Sequence, residues 1–179
     1  MTEGHNDPAY SSRLGNRHPS HTIIEPVAAN TRYFDAGPVR IGVEYRLITS
    51  DIVNANLEAA SRQHGGEHVP VTVPEDGGVS VHVVDASTDA EYLRFDMFDE
   101  SPHYHYIHPG AYQLNIPFDQ AAFGDMFEWV RDGLRYRLRD MLECCGAAAV
   151  AARLDPAVLE SVLPEVVEAV RAGTAPAAP

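Results

Sequence analysis

Between Val39 and Ile48 apolar and polar side chains alternate, with Val39, Ile41, Val43, Tyr45 and Leu47 on one parity and Arg40, Gly42, Glu44 and Arg46 on the other. Successive side chains of a strand point to opposite faces, so this period predicts a strand with one buried and one wet face. The same period returns in Leu93 to Phe98 and in His103 to His108, and the valine-rich run Val79 to Val84, which contains His82, suits a further strand. Val69 to Val73, with Pro70 inside it and Pro74 after it, suits a brief edge strand, because proline cannot donate to a ladder. Turn signals at Glu75-Asp76-Gly77-Gly78 and Asp85 to Asp89 keep the connections short, which makes neighbouring strands antiparallel. The expectation is an antiparallel sheet of about 4–5 strands.

Elsewhere the apolar period lengthens to that of a helix. Asp51 to Gln63 suits a short helix capped by Ser50 or Asp51, with Ile52, Val53, Leu57 and Ala60 inward and Gly65-Gly66 as its stop. Phe123, Phe127, Val130, Leu134, Leu138, Met141, Leu142 and Cys145 form one stripe, predicting a long helix from Gln120 to Cys145 with Asp119 as cap and Gly146 as terminator. Asp155-Pro156 opens another helix by the cap-then-proline rule, with Pro164 as a kink or restart. Together these predict an α+β fold whose antiparallel sheet is covered on one face by a C-terminal pair of α-helices. Residues 1–30 read as a flexible polar arm, 31–171 as a single α+β domain, and 172–179 as a disordered Ala/Pro tail.

Charge removes several function classes. The net charge of the 179 residues is −13, and every basic residue is arginine. Without lysine, neither a Schiff base nor a phosphate-loop lysine is available. So acidic a chain lacks the basic footprint that nucleic acid or an anionic membrane requires. Cys144 and Cys145 are adjacent, which suits neither a disulfide framework nor a structural zinc site. The amino terminus has no charged start followed by an apolar run, and no stretch is long and apolar enough to span a bilayer, so a reducing cytoplasmic setting is expected.

The candidate chemistry lies between Leu93 and Gly110, where three histidines, three acids, Arg94 and four tyrosine or phenylalanine rings crowd together. If Asp99-Glu100-Ser101-Pro102 is a four-residue hairpin loop, Phe98 faces His103, Asp96 faces His105 and Arg94 faces Ile107. One face then carries Arg94, Asp96, His103 and His105, and the other Leu93, Phe95 and Met97 against Tyr104, Tyr106 and His108. Histidines at i and i+2 project to one face, and with a carboxylate they form a ligand set used for zinc or non-haem iron. Cupin-type barrels also carry a His-x-His strand, but they place a Glu a few residues later, where this chain has Ile107-His108-Pro109-Gly110.

Two other readings of these residues stay open. They can form a polar cross-strand network without metal or substrate. They can also act as a metal-free acid–base site, with Asp96 orienting His105 and Arg94 binding an anionic group. The row Arg131, Arg135 and Arg139 could clamp phosphate, but Glu128, Asp132, Asp140 and Glu143 beside it favour a solvated face laced by ion pairs. Trp129 reads as partly exposed or as a contact for a second subunit, which leaves room for a homo-oligomer.

The tract Leu-Arg-Phe-Asp-x-Phe-Asp-x-x-Pro-His-Tyr-His-Tyr-Ile, followed by an acid-capped helix containing Trp129, resembles an uncharacterised family of bacterial hypothetical proteins over about Val79 to Arg171. The resemblance brings no activity, substrate or cofactor. The expectation carried forward is a small bacterial metal-dependent enzyme, an oxygenase, lyase or hydrolase. His103, His105 and Asp96 would hold a divalent transition metal, zinc or iron, and Arg94, Asp96 and His105 would act on a small anionic substrate. The rival is a non-catalytic accessory subunit that contacts a partner protein.

Overall fold

The computed structural model describes residues 15–173. Seven strands form one antiparallel sheet: β1 (Asn16–Pro19), β2 (Arg32–Ala36), β3 (Val39–Ile48), β4 (Asp76–Asp85), β5 (Glu91–Phe98), β6 (His103–His108) and β7 (Tyr112–Pro117), in the order β1-β7-β6-β5-β4-β3-β2. The expected count of 4–5 is therefore too low. β7 went unread because its alternation, Gln113 and Asn115 against Leu114 and Ile116, is short and ends in Pro117. β1 was missed because all four of its residues are exposed and carry no apolar pattern. Val69 to Val73 is not a strand: Asn54 bonds both backbone groups of Val71, at 2.9 and 2.8 Å, and Ser50 bonds both of Val73, leaving no ladder to join.

Helix α1 (Ser50–His64) is capped by Thr49, whose side chain accepts from the Ile52 amide. The expected continuous helix from Gln120 to Cys145 is instead α2 (Gln120–Phe123), α3 (Met126–Asp132), a π-helical stretch at Gly133–Arg137 and α4 (Leu138–Cys144). Gly124, at φ 77°, ends α2 in the left-handed region, and Asp125 caps α3 by accepting from the Glu128 amide. Phe123, assigned to the buried stripe, is 60% exposed as a result. After α5 (Ala148–Ala151), α6 (Pro156–Ala172) starts at the Asp155 cap and runs unbroken through Pro164.

One face of the sheet is apolar. Val39, Ile41, Val43, Val81, Val83, Leu93 and Phe95 share a single core cluster with Leu134, Leu138 and Leu142 and with Leu159, Leu163 and Val166 from the C-terminal helices. Burying one such side chain stabilises by about 1.5–3 kcal/mol, so this layer supplies the main driving force for folding. Trp129 belongs to it, packed against Tyr104, Phe118 and Phe95 at centroid distances of 5.0, 5.2 and 6.0 Å.

The other face was expected to be wet, yet it is buried. From Asn16 the chain pairs as β1 with β7, makes a 3₁₀ turn at Ser20–Thr22 and runs back over the sheet with Ile23 buried. This strap lies within the segment expected as a flexible arm; residues 1–14 and 174–179 lie outside the described residues. Asn56 of α1 donates to the Thr22 carbonyl at 2.8 Å, joining strap and helix into one cover.

Candidate functional site

Under that cover the sheet carries a layer of ionisable groups: Glu44, Arg46, His82, Glu91, Arg94, Asp96 and His105 are all buried. Their position follows from parity and register. The rows Glu44, Ser80, Asp96, His103 and Gly42, His82, Arg94, His105, Asn115 run straight across β3 to β7 on one side. The β5–β6 register is Asp96 opposite His103 and Arg94 opposite His105, two residues from the expected pairing. The cause is a longer connection, since β5 and β6 part after Asp96 while Met97 and Phe98 remain paired with β4 alone. A shift of two preserves parity, so Arg94, Asp96, His103 and His105 still share one face, as expected.

Glu91 joins that face through a bulge. In an unbroken strand residues 91 and 94 would point to opposite sides. Between Val83 and Val84 the β4–β5 register slips by one, so that Tyr92 is extra and Glu91 pairs with Val84. Glu91 thereby meets Arg94 in a bidentate ion pair, with Nε donating to Oε1 at 2.9 Å and Nη2 to Oε2 at 2.5 Å. Arg94 Nη1 donates to the Ile24 carbonyl of the strap at 2.7 Å, and Arg46 Nη2 donates to the same oxygen at 2.8 Å. Every nitrogen of the Arg94 guanidinium is thus engaged. His82 lies between two carboxylates, Nδ1 2.6 Å from Glu91 and Nε2 3.2 Å from Glu44. Burial pushes the Glu91 carboxyl up, but Arg94 and His82 outweigh it and bring the group to about 2.

Asp96 divides its oxygens. Oδ1 accepts from the Ser80 hydroxyl and lies 3.9 Å from Arg46 Nη1, while Oδ2 is 3.3 Å from the Nε2 atoms of both His103 and His105. His103 Nδ1 is 2.6 Å from the Ser101 carbonyl, which can only accept, so that nitrogen carries a proton and donates it. Burial opposes the Asp96 charge, yet the two imidazoles hold its carboxyl well below the usual range. The histidines diverge: burial depresses both, but the bonds to Asp96 win at His103 and raise it, whereas burial dominates at His105 and lowers it. Asp96, His103 and His105 each offer one ligand atom, and these atoms all lie within 4.8 Å of one another, close enough to hold one metal ion.

These residues line a cavity of about 290 Å³. Its polar wall includes Arg46, Arg94, Gln113 and Asn115, its apolar wall Ile23, Ile24, Ile48, Leu57 and Phe98, and His18 of β1 borders it. His82 does not reach it, and His108 stacks on Tyr112 at 4.2 Å. Sequence reasoning missed Glu44, Arg46, Ser80, Glu91 and Gln113. The available signal was that the polar parities of several strands carry both charge signs together, which suits a buried layer better than a wet face. In the arginine row on the helices Arg131 is ion-paired with Glu128 and Asp132 and Arg135 with Glu160, while Arg139 donates to the Leu154 carbonyl.

Fold and site define the class: an α+β domain whose antiparallel sheet bears core on one face and a buried ionisable layer with a His/Asp cluster on the other. A profile of the family described as a domain of unknown function (DUF7700) matches residues 33–170, and the chain belongs to that family. No curated protein and no solved structure matches it. Among the described residues no helix is long and apolar enough to cross a membrane.

Proposed function

We propose that the protein is a small metal-dependent enzyme acting on a small anionic organic molecule, with His103, His105 and Asp96 holding a divalent transition metal, zinc or iron. The observation that carries this reading is the pair of 3.3 Å separations from Asp96 Oδ2 to the two Nε2 atoms. Ligands about 2.0–2.1 Å from a tetrahedral ion stand about 3.3–3.4 Å apart, so little movement is needed to admit one. The Ser101 carbonyl already takes the His103 Nδ1 proton, which directs the Nε2 lone pair toward that position. Three protein ligands would leave a coordination position for water or substrate.

Arg94 was the expected substrate anchor, but its engagement with Glu91 and Ile24 suits it to holding the layer together. Arg46 is the better anchor, because its Nη1 has only the 3.9 Å approach to Asp96 and Arg46 lines the cavity. With apolar residues on the opposite wall, the substrate is a small carboxylate or similar anion with an apolar part. The metal, bound, would act as a Lewis acid or lower the pKa of a water.

A second reading, metal-free acid–base catalysis, is favoured by the opposite shifts of His103 and His105 around one carboxylate. Plasma mass spectrometry of tag-free protein separates the two. Near-stoichiometric zinc or iron in wild type, lost in a folded His103→Ala/His105→Ala variant, supports the metal reading. Its absence after reconstitution leaves the acid–base one.

A further inference from the structure

Two buried polar atoms on the cavity's border have no hydrogen-bond partner, His105 Nδ1 and Gln113 Oε1. A buried orphan of this kind is destabilising, and two on adjacent strands invite a common explanation. Gln113 of β7 pairs with Ile107 of β6, so it is the diagonal neighbour of His105 on the same face. Diagonal neighbours stand about 7 Å apart, within reach of a glutamine and an imidazole. The other end of the Gln113 amide is held by the strap, where Nε2 donates to the Thr22 hydroxyl at 3.4 Å.

We infer that Gln113 is a positioning residue for His105: its side-chain oxygen accepts the Nδ1 proton and so leaves Nε2 unprotonated toward Asp96 and the metal. This rests on the metal reading above. It gives His105 the counterpart of what the Ser101 carbonyl gives His103, since a metal-bound imidazole nearly always donates its other N–H. The Thr22 hydroxyl donates its one hydrogen to the Pro19 carbonyl at 2.8 Å, so toward Gln113 it can only accept, which keeps the amide oxygen on the His105 side. Thr22 thus ties the orientation of the Gln113 amide to the strap.

The test uses the full chain as wild type, Gln113→Leu and Gln113→Glu. Co²⁺ affinity is read by competition with a chromophoric chelator and by visible absorption, and the His105 ring is read by long-range ¹H–¹⁵N spectra of metal-free protein. Gln113→Leu weakens Co²⁺ binding by about 10–100-fold at unchanged circular dichroism, and Gln113→Glu, which still accepts, restores most of it. The same Gln113→Leu change moves the His105 Nδ1 resonance before any metal is added. Equal Co²⁺ affinity in wild type and Gln113→Leu overturns the inference while leaving the metal reading intact. If wild type binds no Co²⁺, the metal reading fails, and the metal-free spectra still decide: an unmoved His105 Nδ1 resonance overturns the role of Gln113, and a moved one upholds its bond to His105.

Discussion

Replacing Arg94 with methionine removes a guanidinium that is 2% exposed and leaves Glu91 buried with His82 as its remaining partner. Breaking a buried ion pair from one side costs about 3–5 kcal/mol, because the surviving charge keeps its desolvation cost without its counterion. The Glu91 carboxyl gives an independent figure. Its fall from 4.5 to about 2 on folding corresponds to about 3 kcal/mol of stability. The folded value is depressed, so this contribution is fully present above the unfolded value and is lost as pH falls from about 4.5 toward 2. Urea unfolding followed by circular dichroism at pH 7 should therefore show Arg94→Met less stable than wild type by about 3–5 kcal/mol. Glu91→Gln and Arg94→Met should both flatten the acid limb of the stability profile, the first by removing the titrating group and the second by raising its folded value toward the unfolded one. A loss below about 1 kcal/mol at pH 7, the range of exposed pairs, would refute the claim that the strap seals this layer from water.

Three further outcomes are expected. In the metal-free protein His103 titrates above an ordinary histidine, stabilising the fold fully below the unfolded value and losing that effect as pH rises through the folded one; Asp96→Asn removes this elevation, read by imidazole NMR titration. Phe95→Ala deletes a fully buried ring packed on Tyr104 and Trp129 and should cost about 3–5 kcal/mol in chemical denaturation. Gly78→Ala would place a Cβ 2.2 Å from the Met97 carbonyl oxygen, forcing β4 from β5 beside Asp96; a loss of about 1–3 kcal/mol is expected, read as a lowered Tm.

Alternation made β3 and β6 legible to the residue, and the common face of Arg94, Asp96, His103 and His105 survived a wrong register because the error was an even number. What period cannot tell is what lies above a polar face. Glu44 and Arg46 look the same in a sequence whether water or a strap covers them, and the cover comes from a segment whose composition suits a tail. The broken course of α2 to α4 was equally hidden, since Phe123 and Phe127 continue the stripe across Gly124 and only the backbone at that glycine departs from it. Family membership reaches from residue 33 to 170, so the strap that closes the cavity lies outside the matched stretch.

The extra residue in β5 divides that strand into two reading frames. On the Phe98 side of Tyr92 even numbers meet the ionisable layer, and at Glu91 an odd number does. Straightening the bulge with Tyr92 kept in the ladder would restore strict alternation by residue number while sending the Glu91 carboxylate into the layer of valines and leucines. Arg94 and His82 would then face each other without the anion between them. In this strand the irregular register is the functional one, and straightening it would undo the charge balance of the buried layer.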